Sequence, residues 1–292
     1  MSLRSRLANS WELFQRSLQV IRAQPRLILF PIVTAGCALL LVAFFLTPVV
    51  LLLIGVHGGG GDWEADVRRF APAFYAYGAL AYVVAMFVGT FVNVAFYNEI
   101  FRALSGEKVS LRSGLRYART KLRSILMWSL LASTVGLLIR WIEDRLGFVG
   151  KFVMSLVGAA WSVASVFAIP VIIRREDSNP LAVLRDSAST LKKTWGESLA
   201  GYIGIQLGGL AFLAFVAFSA VVGIGFGVLL GWVEVLYIVI PLALFALVAF
   251  GVVLGVAGDV YRCALYVYAT EGVVPGPYTP ELMNAGWKVK KK

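Results

Sequence analysis

Residues 27–55 read LILFPIVTAGCALLLVAFFLTPVVLLLIG, a run without one charged side chain. A helix needs about 20 apolar residues to cross the hydrocarbon core of a bilayer, so this run is long enough for a full crossing. A basic segment precedes it, as in a secretory signal, but the run exceeds the roughly 7–15 apolar residues of a cleavable signal peptide. We therefore predict an uncleaved first membrane span.

Further long runs with few charged side chains follow along the chain. They cover residues 71–97, 122–142, 148–173, 198–222 and 235–257. The runs are too long and too uniformly apolar for the alternating strands of a β-barrel. The sequence thus predicts an all-α polytopic membrane protein with six transmembrane helices.

The composition agrees with a membrane protein and excludes several other classes. Apolar residues make up 59 % of the chain and charged residues only 15 %, against about 45–50 % and about 25 % in soluble domains. A soluble enzyme, a disordered protein and a disulfide scaffold are thereby excluded. Cys37 and Cys263 stand in or beside apolar runs and are predicted to be buried. The single histidine, His57, has no second ligand nearby, so no metal or cofactor is predicted.

The positive charges predict the orientation of the chain in the membrane. The net charge is +11, and 22 of the 27 Lys and Arg residues fall on one side: before span one, between spans two and three or in the first turn of span three, between spans four and five, and after span six. Lys and Arg accumulate in cytoplasmic loops. We therefore predict a multi-pass protein of the plasma (inner) membrane of a prokaryote, with both termini in the cytoplasm. This orientation accounts for the positive charge, so no nucleic-acid partner is predicted.

Three segments before membrane runs have the apolar periodicity of amphipathic helices. The middle stripe, for example, extends from Leu111 to Ile125 through Leu122. Basic helices of this kind lie at the membrane interface with their cations toward lipid phosphates. The predicted lipid-binding residues are Arg16, Arg22, Arg116, Arg119, Lys121, Arg185, Lys192 and Lys193.

These three segments also superpose on one another at fixed offsets. Ser17 corresponds to Ala118 and Ser187, and neighbouring apolar positions follow the same offsets. We predict a single membrane domain over residues 1–292, built from three pseudo-repeats of an interfacial helix plus a two-helix hairpin. The units cover about residues 1–106, 107–177 and 178–272, and a cytoplasmic tail covers 273–292. Asn179 and Pro180 predict the start of the third interfacial helix, as cap and first residue.

Glycines recur at i+4 intervals in residues 223–232, GIGFGVLLGW. Gly223, Gly227 and Gly231 would let helix backbones approach closely, either within the chain or against a second copy or another membrane protein. The segment itself is either a short hairpin or the end of a long fifth helix. Both alternatives remain open at the level of the sequence.

Ionisable and amide side chains near span ends are the remaining candidates for function. Glu99 with Arg102 and Asp259 with Arg262 are spaced as i, i+3 ion pairs on helices, and Asn93 lies one to two turns earlier in span two. They either anchor helix ends or form an ion or headgroup site. The chain lacks the sequence motifs of hydrolases and metalloproteases, so no catalytic residue is predicted.

Several stretches of the chain carry a resemblance to known sequences: residues 10–17 and 29–31, 185–187 and 192–197, 268–272, and 280–288. In these stretches the chain resembles a family of uncharacterised prokaryotic six-span membrane proteins. More distantly, the plan of helix plus hairpin looks like the membrane domain that precedes some bacterial glycerophosphodiester phosphodiesterases. The resemblance implies the six-span membrane fold. Because we expect no attached hydrolase domain, it transfers no activity.

The leading functional hypothesis is a non-enzymatic membrane protein that binds anionic lipid headgroups and acts as a lipid-organising or assembly factor. The alternative is an oligomeric channel or small-solute transporter with a polar site near Asn93, Glu99 and Asp259. A membrane-embedded lipid-processing enzyme is the third possibility.

Overall fold

A computed structural model describes residues 3–58, 63–194, 214, 217–219, 221–229, 231 and 233–285, and every regular element in these ranges is helical. The predicted all-α class is therefore confirmed. A 3-10 turn, Pro25–Ile28, separates the first two helices. The labelled helices are α1 (Leu3–Ala23), α2 (Leu29–Gly58), α3 (Trp63–Leu104), α4 (Leu111–Thr120), α5 (Leu122–Glu143), α6 (Phe148–Ala164), α7 (Ala168–Arg174), α8 (Pro180–Thr194), α9 (Val233–Glu271) and α10 (Pro280–Ala285).

Within the described residues, five stretches are long and apolar enough to cross a bilayer. They are Pro25–Leu52, Ala71–Leu104, Leu122–Glu143, Phe148–Arg174 and Ile240–Glu271. Their large apolar side chains face outward, as Leu40 at 72 % and Phe44 at 69 % exposure illustrate. Apolar surface of this extent marks an interaction surface, and together with the length of the helices it fits an integral membrane protein. The predicted span 198–222 lies largely outside the described residues.

The segment before α9 contains a turn. Residues 221–229 are helical, Gly231 has a φ of +71°, and α9 begins at Val233. Glycine adopts this left-handed conformation without the steric cost of a Cβ. Gly231 thus lies in a turn and not on the helix face that the i+4 spacing indicated. A Cβ at Gly223 would meet no described atom within 4 Å.

The first of two compact units comprises Met1–Pro31, Glu99–Ser110 and Thr190–Lys292. Here α1 packs on α9, and the 3-10 turn contacts both helices. The core of the unit includes the fully buried Leu27, Phe30 and Cys263. Burial of Cys263 confirms its predicted role as a small apolar residue, whereas Cys37 is half-buried.

The second unit comprises Ile32–Asn98 and Leu111–Ser189. The indole rings of Trp128 on α5 and Trp161 on α6 are stacked, with 6.1 Å between their centroids. The Tyr77 hydroxyl donates to the carbonyl of Phe45 at 3.1 Å, which ties α3 to α2. Such polar contacts between apolar helices are favourable because no water competes for them.

The fourth predicted span, 148–173, is broken into α6 and α7. The helix ends at Ala164 and resumes at Ala168. The Ser187 hydroxyl of α8 donates to the carbonyl of Ala164 at 2.6 Å and accepts from the N–H of Phe167 at 3.0 Å. A break in a membrane helix is tolerated where another side chain satisfies the freed backbone groups. Ser187 therefore closes the gap between the two half-helices.

The three predicted amphipathic helices are present, with one correction to the middle one. Asn179 caps α8 through its side-chain oxygen, which accepts from the N–H of Leu181 at 3.0 Å, as predicted. In the middle segment, however, α4 ends at Thr120 and a new helix begins at Leu122. The continuous stripe to Ile125 is therefore wrong: Leu122 is 44 % exposed, while Ile125 is fully buried.

Candidate functional site

Helix α4 has two faces of opposite character. Gly114 and Ala118, one turn apart, are buried. Counting about 100° per residue, Arg112, Arg116 and Arg119 lie within about 60° of one another on the opposite side, and all three are exposed. The small residues let α4 lie close to the rest of the protein, while the arginines remain accessible to a ligand.

The arginine face borders a cleft of about 480 Å³. Its described lining is amphipathic, because two leucines stand beside the three guanidinium groups. A lining of this kind suits a ligand with an anionic end and an apolar end. The described lining residues are Leu111, Arg112, Leu115, Arg116 and Arg119.

The C-terminal end of α4 is held in place by hydrogen bonds. The Tyr117 hydroxyl donates to the carbonyl of Ile173 at 2.7 Å, and the Lys121 ammonium donates to the carbonyl of Arg175. Burial raises the pKa of the Tyr117 phenol, and the nearby positive charge of Arg174 partly opposes this rise. Lys121, predicted to bind lipid, therefore has a partner within the protein.

The cations of α8 have different surroundings. Arg185, Lys192 and Lys193 are exposed as predicted, but α8 also carries Asp186. The guanidinium of Arg175 forms an ion pair with Asp186 and a second one with Asp177. Their paired charges reduce the net positive field at this helix.

An ion network surrounds Arg175, and no sequence signal indicated it. Asp177 and Asp186 are two and eleven positions away from Arg175, outside the i, i+3 and i, i+4 spacings of a helix. Hydrogen bonding to Asp177 raises the pKa of Arg175 further above its usual range, and the same bond lowers the pKa of Asp177. The network holds the turn between α7 and α8.

Of the two predicted lipid-binding residues on α1, one forms an ion pair within the helix and the other is exposed. Arg16 pairs with Glu12 on the same helix at 3.3 Å, whereas Arg22 is exposed. The apolar face of α1 is covered by protein, since Phe14 and Ile21 are 8 % or less exposed. Trp11, three positions before Phe14 on the same helix, is 60 % exposed.

Glu99 is the most deeply buried of the predicted polar candidates, with a side chain fully shielded from solvent. Both its carboxylate oxygens lie 3.3 Å from the Arg102 guanidinium, which confirms the predicted i, i+3 pair. One oxygen also accepts from the N–H of Ser110 at 2.8 Å. Arg102 bonds Glu107 in addition, at 2.9 Å. Glu99 thus fixes the loop between α3 and α4.

The second predicted pair is also formed. Asp259 and Arg262 of α9 are 3.2 Å apart, with 26 % and 21 % of their side chains exposed. Asn93 is half-buried and belongs to the second unit, whereas the other four polar candidates belong to the first. Their grouping into one site stays a prediction.

Ser17 contributes a buried polar contact that the sequence alone did not indicate. Its hydroxyl and that of Tyr278, 261 positions later, share a hydrogen bond of 2.7 Å. The ring of Tyr278 lies 6.4 Å from that of Tyr261. Burial raises the pKa of Tyr278 well above its usual range. The contact fastens the segment after α9 to α1.

Comparison with models of protein families finds a match. Residues 73–276 match the family of unknown function DUF6159. No curated protein and no solved structure matches the chain. The distant likeness to the membrane domain of glycerophosphodiester phosphodiesterases is not shown by any comparison and stays a prediction. Because the match covers more than half of the chain, the protein belongs to the DUF6159 family.

Proposed function

We propose that the protein binds anionic lipid through the exposed cations of α1, α4 and α8, has no catalytic activity of its own, and acts as a lipid-organising or assembly factor. The proposed setting is the inner membrane of a prokaryote, with both termini in the cytoplasm and with residues 198–222 as a sixth span. The excess of cations on the predicted cytoplasmic side supports this orientation.

The observation that carries the proposal is the division of α4 into a buried and a cationic face. Ala118 has no exposed surface, whereas Arg112, Arg116 and Arg119 are exposed. Each Lys or Arg near an anionic leaflet contributes about 1 kcal/mol to membrane binding. Three arginines on one face would therefore contribute about 3 kcal/mol to membrane binding.

The burial pattern of the three basic helices also supports the proposed pseudo-repeat. Ser17, Ala118 and Ser187, which correspond in the repeat, are all fully buried. The two serines each hydrogen-bond a distant segment, Ser17 to Tyr278 and Ser187 to the α6–α7 break. In each of the three proposed repeats the corresponding position thus faces the protein, and the cations lie elsewhere on the helix.

Lipid retention by the purified protein tests the proposal. We expect R116Q/R119Q/R185Q to retain clearly less anionic phospholipid than the unmodified chain, measured as lipid phosphorus and by mass spectrometry. The matched control is R140Q/R145Q/K151Q, which removes the same charge from exposed positions on the predicted outer side. Equal retention in all three proteins would refute lipid binding by the basic helices.

A channel or small-solute transporter is the second candidate, and the break between α6 and α7 favours it. Discontinuous helices commonly supply ion and substrate ligands in transporters. Here, however, Ser187 already hydrogen-bonds the carbonyl of Ala164 and the N–H of Phe167. These two groups are therefore engaged within the protein, which argues against their use as ligands for an ion. Solute flux or conductance in proteoliposomes would establish the alternative, and folded protein without either would exclude it.

A further inference from the structure

Helix α4 differs from an ordinary basic helix in its choice of residues. Its sequence, LRSGLRYART, has three arginines and no Asp, Glu or Lys. Within the described part of the chain, no salt bridge involves Arg112, Arg116 or Arg119. Their charge is therefore available to a ligand.

Arginine is the cation suited to phosphate recognition. Its planar guanidinium presents paired N–H donors that match two phosphate oxygens, and it is more weakly hydrated than an ammonium group. A helix that served only to attract an anionic surface would do as well with lysine. The all-arginine face indicates a more specific contact.

The cleft beside this face fits one end of a phospholipid. From Arg112 to Arg119 the helix rises about 10 Å, so three guanidinium groups line a strip longer than one phosphate. Leu111 and Leu115 stand next to the strip and line the same cleft of about 480 Å³. The charged strip matches the headgroup, and the leucines match the first methylenes of the acyl chains.

We propose that the α4 cleft is a discrete site for a phospholipid whose headgroup carries two phosphate charges. This inference rests on the proposed lipid binding and narrows it to one helix. Two phosphates can each face two neighbouring arginines along the strip, with Arg116 shared between them. The cleft then keeps one net positive charge, whereas a lipid with a single phosphate would leave two. The hydrogen bonds from Tyr117 and Lys121 fix α4 beforehand, so little order is lost when the lipid binds.

The experiment titrates detergent-purified, delipidated full-length chain with tetraoleoyl cardiolipin and follows bound lipid by native mass spectrometry. Dioleoyl phosphatidylglycerol, which has one phosphate, is the comparison lipid, and inorganic phosphate is a third ligand. We expect one high-affinity cardiolipin, with phosphatidylglycerol bound at least tenfold more weakly. Inorganic phosphate should not compete at millimolar concentration.

Two variants of α4 distinguish the contribution of the planar guanidinium donors from that of their positive charge. R112Q/R116Q/R119Q should lose the high-affinity lipid, with affinity reduced about a hundredfold. R112K/R116K/R119K keeps the charge but loses the planar donors, and should bind about tenfold more weakly than the unmodified chain. R185Q/K192Q/K193Q on α8 removes equal charge from exposed positions and is the comparison variant, which should lower the general retention of anionic lipid but leave the single high-affinity cardiolipin in place. The matched control is R140Q/R145Q/K151Q, which should keep both.

The outcomes distinguish this inference from the general proposal. Equal losses for the α4 and α8 neutral variants, with no loss for the lysine variant, would leave lipid binding by charge standing and overturn the discrete site. No loss in any variant would overturn both. Equal affinity for cardiolipin and phosphatidylglycerol, or competition by inorganic phosphate, would refute a two-phosphate lipid as the ligand. Thermal unfolding of each variant, expected to be unchanged at these exposed positions, verifies that it is folded.

Discussion

Helices α4 and α8 are both short, basic and amphipathic, yet the protein uses them differently. In α4 the cations are arginines that line a cleft, and the buried face consists of Gly114 and Ala118. In α8 the cations are accompanied by Asp186, and the buried face carries Ser187, which closes a broken span. The comparison shows that similar amphipathic patterns can line a cleft with arginines in one place and close the gap in a broken helix in another.

Removal of the Ser187 hydroxyl should have the largest effect on stability. In S187A the carbonyl of Ala164 and the N–H of Phe167 both lose their partner in a buried setting, which costs about 2 kcal/mol. We expect the midpoint of thermal unfolding in detergent to fall by about 6 °C. The control is S189A, an exposed serine on the same helix, which should unfold like the unmodified chain. If the two variants were equally stable, the role assigned to α8 would be wrong.

The ion network next to α8 should make stability depend on pH. Arg175 lowers the pKa of Asp177, so the folded state gains stability above the ordinary carboxyl pKa of about 3.9, and this gain is lost as the pH falls through the lowered value. R175Q should therefore be less stable than the unmodified chain at pH 6, with the difference shrinking below about pH 4. Unfolding midpoints across this range measure the effect.

Arg123 offers the matched control for the network. It is an exposed arginine on α5 outside the network, so R123Q should keep the acid dependence of the unmodified chain. A difference between R175Q and the unmodified chain that stayed constant from pH 6 to pH 3 would argue against titration of Asp177 as its cause.

Single substitutions give the smallest effects and compare the two helices directly. R116Q should weaken lipid binding about fivefold, because one cation near a phosphate contributes about 1 kcal/mol. K192Q on α8 should change the affinity less than twofold. The measurement is cardiolipin affinity at two salt concentrations. An equal effect of the two changes would remove the distinction between the helices.

Much of this architecture was predictable because it rests on local patterns. Apolar length located the five described spans, and helical periodicity located α1, α4 and α8. The cap at Asn179 and the pairs Glu99–Arg102 and Asp259–Arg262 follow from spacing alone. Each of these features depends on residues within a few positions of one another.

What the sequence did not reveal depends on residues far apart. The break after Ala164 lies in an uninterrupted apolar run, and the serine that closes it comes 23 positions later. Ser17 and Tyr278 are separated by most of the chain. The end of α4 at Thr120 was missed because the apolar pattern continues across it. At this break the Lys121 side chain donates to the carbonyl of Arg175, a contact 54 positions away in the chain. Such contacts are set by tertiary structure, which periodicity does not report.

The closure of the α6–α7 gap by Ser187 has a consequence for biosynthesis. Ser187 leaves the ribosome 23 residues after Ala164, which at about 5–20 residues per second is a delay of roughly one to five seconds. Until Ser187 is made, the carbonyl of Ala164 and the N–H of Phe167 lack the partner that they have in the folded chain. The break reaches its final hydrogen bonding only when α8 docks, so a helix made later in the chain is the last step in completing the pair α6 and α7.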